Sequence, residues 1–465
     1  MESPAALGLT ALRTRLAQKT PWIAGPGAAN FSGALADARQ CMQSAKAAGA
    51  LTAGPVVVAE TTPSAFLAAT LAAVERGEPV ALASPRWGER EGAQAAAQLR
   101  PGLWFGTKMT AWPEAKLETV FDAARWRGAI LIPTGGTGGR VRWAIHSWST
   151  LASAARALDV FLGGGPFTHV STLPVWHVSG LMPAVRALET GGTLWLDEWK
   201  TLETGTPPAT PPARAIISLV PTQLQRLLSQ SAVMAWLREC RAILLGGAAA
   251  PAALLDAARS ARLPVALAYG MTETAAVVAA QTPADFLAGE PPSVSTLPHA
   301  RVWIADDTGE PSLPEKPGRV MLEADSLFHG YFPESRTTDS FAAEDDGVLD
   351  RQGRLQLLGR RDRVIITGGE KVNPQEVEAA LRASGLVEEV LIVGEKHPAW
   401  GQQVVALFTG APRTDQELHA ALATQLAPPA RPKRWLHVSH LPLDERGKID
   451  AAALAAILQS PNRAV

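Results

Sequence analysis

The run Ile132-Pro133-Thr134-Gly135-Gly136-Thr137-Gly138-Gly139-Arg140-Val141-Arg142 gathers glycines, hydroxyls and two arginines directly after an apolar stretch. Glycine lets backbone N–H groups approach an anion closely, hydroxyls add donors, and the arginines add charge, so the set suits a nucleotide phosphate. A flexible surface turn would use the same residue types. No Gly-Lys-Ser/Thr ending follows and no Gly-x-Gly-x-x-Gly can be placed there, which counts against P-loop hydrolases and dinucleotide oxidoreductases.

The elements that must carry such a loop alternate. Short β-branched runs such as Pro55-Val56-Val57-Val58-Ala59, Ala129-Ile130-Leu131-Ile132, Ala242-Ile243-Leu244-Leu245 and Val265-Ala266-Leu267-Ala268 lie between alanine-rich amphipathic stretches, for example 64–75 and 251–261. This pattern predicts an α/β fold with mainly parallel sheets covered by helices. After about residue 295, runs such as Arg301–Ile304, Gly318–Leu322 and Arg354–Leu358 are spaced by Gly/Asp turns and predict a β-rich subdomain. From Arg363 onward, Val364-Ile365-Ile366, a helix starting near Pro374 and a strand Val390–Val393 predict a small α+β tail. The expected division is a large domain over 1–360, with its β-rich part at about 295–360, and a lid over 361–465.

Composition narrows the function classes. With 43 Lys+Arg against 44 Asp+Glu the net charge is −1, which argues against gripping nucleic acid or an acidic membrane surface. Cys41 and Cys240 cannot build a disulfide scaffold, which fits a reducing cytosol. The start, MESPAALGLTALRTRLAQ, shows no basic-then-apolar leader pattern, so a cytoplasmic protein is expected. The segment from Val160 to Val185 lacks Asp, Glu, Lys and Arg, yet Pro166, Pro174 and Pro183 interrupt it, so buried strands and loops are expected there rather than a membrane span.

Read together, the motifs resemble the adenylate-forming superfamily of acyl-CoA synthetases, luciferases and peptide synthetase adenylation domains. The glycine loop is similar to that family's phosphate signature, Thr-Ser-Gly-Thr-Thr-Gly-x-Pro-Lys, with His146 in the place of the His four residues on. Leu173-Pro174-Val175-Trp176-His177-Val178-Ser179-Gly180 resembles its aromatic/His substrate-side motif, and Leu245-Gly246-Gly247-Ala248 its adenine-side turn. Tyr269-Gly270-Met271-Thr272-Glu273-Thr274 is close to its most specific short motif. The run from Asp346 to Gly359-Arg360-Arg361-Asp362 resembles the ribose-binding Asp and the hinge, Gly368-Gly369-Glu370-Lys371 the loop opening the lid, and Arg446-Gly447-Lys448-Ile449-Asp450 the catalytic-lysine motif. The motifs follow the family's order over roughly residues 129 to 450.

The resemblance implies ATP, Mg²⁺ and a carboxylic acid as reactants. Attack of a carboxylate on the α-phosphate builds negative charge that Lys448, on a mobile lid, can neutralise. Outside this context Lys448 reads as a surface lysine. Glu273 offers a hard oxygen to Mg²⁺ and Thr272 a donor to phosphate, the alternative being a solvated loop glutamate. Asp346, aligned by its spacing to Gly353 and Gly359-Arg360, would accept from the ribose hydroxyls with Arg360 behind it; Asp345 is the alternative. Arg142 stands where the family has lysine and keeps the charge. Rotation about Asp362 would then bring a thiol-delivering loop near Gly368-Gly369, with free coenzyme A as the expected acceptor because no carrier motif follows.

Several segments, among them Arg142-Trp143-Ala144-Ile145-His146 and His177-Val178-Ser179-Gly180-Leu181, resemble the o-succinylbenzoate CoA ligases of menaquinone and phylloquinone biosynthesis, in particular the shorter cyanobacterial type. The alternatives are a ligase for another aryl or medium-chain acid and a catalytically weak nucleotide-binding paralogue. His177 would sit beside the acyl chain or be a satisfied core histidine, with Ser179 nearby. Between Arg156 and Lys200 the only basic side chain besides His is Arg186, set in an apolar stretch. It would hold the aromatic carboxylate of a diacid, pair with Glu189 at i+3, or reach solvent past its stem.

Overall fold

A computed structural model describes residues 9–18, 21–107, 112, 121–135, 141–306, 308–423, 425–444 and 447–459. The chain forms two compact units, Met1–Val302 with Leu322–Phe341, and Trp303–Met321 with Ala342–Val465. The fold is mixed α/β, with parallel sheets and helices in the large N-terminal part and a small α+β domain at the C-terminal end.

In the first unit the β-branched runs become two sheets. One is ordered Leu103–Gly106, Val56–Ala59, Val80–Leu82, Ile130–Gly135, Val141–His146, parallel except for its last strand. The other is ordered Ile23–Ala24, Thr193–Leu196, Thr168–Ser171, Ala215–Leu219, Ala242–Leu245, Val265–Met271, Ala276–Ala280, Ser295–Thr296, and turns antiparallel only after Val265–Met271. Helices Phe31–Ala47, Pro63–Arg76, Trp148–Phe161 and Val178–Thr190 share one apolar core with Val56, Val58, Leu194 and Leu196, so a helical layer packs against strands of both sheets. Strands buried on both faces explain why their sequences read as continuous apolar runs rather than as alternation.

Residues 160–185 depart from the expectation of strands and loops. Only Thr168–Ser171 is a strand; Trp148–Phe161 ends within the segment, and the helix Val178–Thr190 carries Pro183 inside it. Proline there gives up one intrahelical hydrogen bond, and burial of the flanking Leu181, Met182, Ala184 and Val185 holds the helix together. No helix among the described residues is long and apolar enough to cross a membrane.

The second unit holds most of a sheet ordered Ala300–Ala305, Gly318–Ala324, Phe341–Leu349, Leu355–Arg360. Its C-terminal domain has Glu370–Val372, Ile365–Thr367, Gly401–Phe408 and Val390–His397 in order, with Arg434–His437 also paired to Gly401–Phe408. The helices Pro374–Ala383 and Asp415–Leu422 cover a core of Val377, Leu381, Ile392, Val404, Leu418 and Leu422. Each begins with a side-chain cap, Asn373 accepting from the Gln375 N–H and Thr414 from the Glu417 N–H.

Candidate active site

The strands on either side of the glycine loop pair antiparallel. Ile130–Gly135 returns as Val141–His146, with Thr134 opposite Arg142 and Gly135 opposite Val141. Thr134 is buried and Arg142 exposed, so the hairpin presents a cation beside a hydroxyl at its tip. Gly136, Thr137, Gly138, Gly139 and Arg140 lie outside the described residues.

The Thr272-Glu273 turn faces this hairpin. His146, at the end of the returning strand, meets the Thr272 carbonyl through Nε2 at 2.8 Å and the Thr150 hydroxyl through Nδ1 at 2.9 Å. A carbonyl only accepts, so Nε2 carries the proton. Complete burial pulls this imidazole down to about 3, so it is a fixed neutral donor. Gly270 is required just before the turn, because a Cβ there would lie 1.7 Å from the Ala276 carbonyl oxygen. Ala275 and Ala276 then take φ of 52° and 75°, a left-handed conformation that L residues seldom adopt. The backbone is thus bent sharply to bring Glu273 to the turn, where it is buried.

Glu273 is held by a side chain far along the chain. The Tyr331 hydroxyl donates to Glu273 Oε1 at 2.5 Å, and the guanidinium of Arg142 lies 4.1 Å from the centre of the Tyr331 ring. No cluster of three or more His, Cys, Asp or Glu able to hold a metal occurs among the described residues. One carboxylate suits Mg²⁺, which is satisfied mostly by phosphate oxygens and water at nucleotide sites. Nearby, the strand Ala242–Leu245 leads into exposed Gly247 and Ala248 beside the strand that carries buried Tyr269 and half-buried Met271. A Cβ on Gly246 would stand 2.7 Å from the Ala268 carbonyl, so glycine keeps the two backbones close.

His177 stands at the N-cap position of the helix Val178–Thr190, with Ser179 in its first turn. Arg186, farther along that helix, is only 4% exposed, and its Nε has no hydrogen-bond partner among the described residues. Burial draws its guanidinium down to about 10. Both expected bland explanations therefore fail: the stem does not reach solvent, and Glu189 is taken by Arg156 at 2.6 Å and Trp148 at 2.8 Å. His169, on the strand Thr168–Ser171, is likewise buried with neither ring nitrogen partnered, and is pulled down to about 3 by burial and by the charge of Arg186.

In the second unit the register places Asp345, not Asp346, opposite Arg360. Asp345 is buried and 3.9 Å from Arg360, whereas Asp346 accepts from Arg361 at 2.6 Å. Arg360 also donates from Nε to Asp362 at 2.8 Å. Gly368 and Gly369, with φ of 58° and 88°, open a turn whose Gly368 N–H donates to the Trp400 carbonyl at 2.9 Å. Beside it lies an open cavity of about 660 Å³, lined by Ile366, His397, Trp400 and Gln402. Lys448 is exposed on a turn closed by Asp444, which accepts from the Lys448 N–H at 3.0 Å. Arg446 lies outside the described residues.

The AMP-binding enzyme family matches residues 36–332, and the AMP-binding enzyme C-terminal domain matches 376–448. The chain belongs to the AMP-binding enzyme family. Among the relatives of this AMP-binding enzyme, the 2-succinylbenzoate--CoA ligase of Listeria monocytogenes is 30% identical over 73% of this chain and 72% of its own length. That of Geobacillus kaustophilus is 30% identical over 69% and 67%. The fold is shared with o-succinylbenzoate CoA synthetase (MenE) from Bacillus subtilis in complex with the acyl-adenylate OSB-AMP, at TM-score 0.74, 23% identity and coverage of 92% and 93%. It is also shared with amide bond synthetase McbA from Marinactinospora thermotolerans, at TM-score 0.76, 22% identity and coverage of 97% and 99%.

Within the first unit of this AMP-binding enzyme, Thr134, Arg142, His146, Thr272 and Glu273 come together, and Gly246 and Tyr269 sit on neighbouring strands. Sequence reasoning passed over Tyr331 and His169. One signal for Tyr331 was available: the chain has 2 tyrosines, and the other, Tyr269, leads into the Thr272-Glu273 turn.

Proposed function

We propose that this AMP-binding enzyme is an ATP-dependent 2-succinylbenzoate–CoA ligase acting in menaquinone or phylloquinone biosynthesis. The succinyl carboxylate oxygen attacks the α-phosphorus of ATP, the bond to pyrophosphate breaks, and the acyl-adenylate forms. The thiol sulfur of coenzyme A then attacks the acyl carbon, the bond to AMP breaks, and the thiol proton is released. Glu273 would hold Mg²⁺, which would supply charge neutralisation at the phosphates, while Arg142, Thr134 and Thr272 bind the phosphates. Tyr269, Met271 and the Gly246-Gly247-Ala248 turn border the adenine, and His177 and Ser179 the acyl group.

The observation that carries the choice of acid is Arg186. Keeping a guanidinium only 4% exposed, with its Nε unpartnered among the described residues, is costly, and a second, aromatic carboxylate on the substrate would complete it. The family's 2-succinylbenzoate ligases supply the substrate class that has such a group.

In this reading Lys448 serves adenylation, Asp362 is the pivot between the domain over 1–360 and the lid over 361–465, and Gly368-Gly369 lets the pantetheine arm pass. The register favours Asp345 over Asp346 as the ribose acceptor, with Arg360 behind it. The enzyme works in the cytoplasm on small molecules, without nucleic acid. Incubation with ATP, Mg²⁺, coenzyme A and 2-succinylbenzoate should yield AMP, pyrophosphate and thioester in equal amounts; formation of ADP, or of no thioester, would rule the reading out.

A further inference from the structure

We propose that Tyr331 is a positioning residue that sets the metal-binding carboxylate and the phosphate-binding cation in one fixed register. The proposal rests on the roles given above to Glu273 and Arg142. Its phenol donates to Glu273 Oε1 at 2.5 Å while its ring face carries the Arg142 guanidinium at 4.1 Å. One side chain therefore touches both groups through chemically separable parts.

The segment around Tyr331 is tied to both elements it bridges. Tyr331 forms an antiparallel bridge with Ala144 on the returning hairpin strand, flanked by Ile145 N–H to Gly330 O at 2.9 Å and Phe332 N–H to Trp143 O at 2.9 Å. On the other side, the Phe328 N–H donates to the Glu273 carbonyl at 2.8 Å, and the buried Phe328 ring meets the Tyr331 ring edge-on at 4.8 Å. The backbone is held by these bonds, and turning the ring away would break the phenol–carboxylate bond and the edge-on contact with Phe328. A lysine at position 142 would be a flexible point charge, whereas a planar guanidinium stacks on an aromatic face and is held there. The arginine in place of the family's lysine and the tyrosine beneath it thus form one device, which couples loop cation to metal carboxylate.

Separable parts make a separable test, read by calorimetric binding of ATP with and without Mg²⁺. Tyr331→Phe keeps the ring and removes the hydroxyl. It should leave metal-free ATP affinity within about twofold of the parent and raise the Mg²⁺ concentration needed for tight ATP binding by ~10-fold, as for one lost hydrogen bond to a charged group. Tyr331→Leu should show the same metal defect and also weaken metal-free ATP by ~3- to 10-fold, the scale of a lost cation–π contact. That second defect should vanish in an Arg142→Ala background. Equal loss of metal-free and metal-bound affinity in Tyr331→Phe, or additive effects of Tyr331→Leu and Arg142→Ala, would show that Tyr331 only packs. If Glu273→Gln and Arg142→Ala themselves leave Mg²⁺-ATP binding unchanged, the underlying assignment fails and the proposal falls with it.

Discussion

Glu189 accepts from Arg156 and from the Trp148 indole, at 2.6 and 2.8 Å, and so is not spent on Arg186 three residues before it on the same helix. The helix thereby keeps its one buried cation available. In the function proposed above, charge that Glu189 does not neutralise is left for a ligand, and Arg186 acts as the selector of a diacid.

Arg186→Ala should raise the KM for 2-succinylbenzoate by ~10- to 100-fold, the size of one charge-assisted hydrogen bond of ~1.5–3 kcal/mol. The effect on 4-oxo-4-phenylbutanoate, which lacks the aromatic carboxylate, should be below about twofold. Steady-state kinetics with both acids checks it, and equal loss on both would make Arg186 structural.

Lys448 projects from a tight turn of the C-terminal domain, with Gly447 at φ 70°. If it serves only the first half-reaction, Lys448→Ala should lose orders of magnitude in acyl-adenylate formation yet still convert supplied acyl-adenylate and coenzyme A to thioester. Comparable loss in both half-reactions would remove that division of labour.

The two neighbouring aspartates separate cleanly. Asp345 is buried opposite Arg360, while Asp346 is engaged by Arg361. Asp345→Ala should raise the KM for ATP by ~10-fold or more, and Asp346→Ala by less than about threefold. The reverse order would make Asp346 the ribose ligand, as its spacing to Gly353 and Gly359-Arg360 leads one to expect.

Three histidines, His146 and His169 buried and His299 half-buried, set an acid limit on stability. Burial draws His146 and His169 to about 3 and His299 to about 4, against 6.5 for the exposed side chain. Their folded values lie below the unfolded one, so as pH falls through about 6.5 the unfolded chain takes up protons that the native chain refuses. Stability should be full above pH 7 and decline steadily toward pH 4. Urea midpoints at pH 7.5 and 5 measure this, and His146→Asn should shrink the difference; equal midpoints in the parent would contradict it.

Much of the site was readable because its chemistry is local in sequence. The Thr134 to Arg142 loop and the Tyr269 to Thr274 turn each hold backbone and side-chain groups within a few residues, and the β-branched runs beside them could only be buried strands. What escaped was set by tertiary pairing. Tyr331 acts from 58 residues beyond Glu273, through a strand bridge that no local pattern announces. Asp345 and Asp346 are equivalent in composition, and only the register across to Arg360 separates them. The helix over Val178–Thr190 was masked by Pro183, whose local cost is outweighed by burial of nearly every neighbour.

Acid-dependent ATP–pyrophosphate exchange measures the central claim most directly, because it reports adenylation alone and needs neither coenzyme A nor lid rotation. Across 2-succinylbenzoate, 4-oxo-4-phenylbutanoate, benzoate and octanoate, exchange should be fastest by kcat/KM with 2-succinylbenzoate, by ~10-fold or more over its monoacid analogue. Exchange that is absent with every acid, or that favours a monoacid, would contradict a ligase built around a second carboxylate.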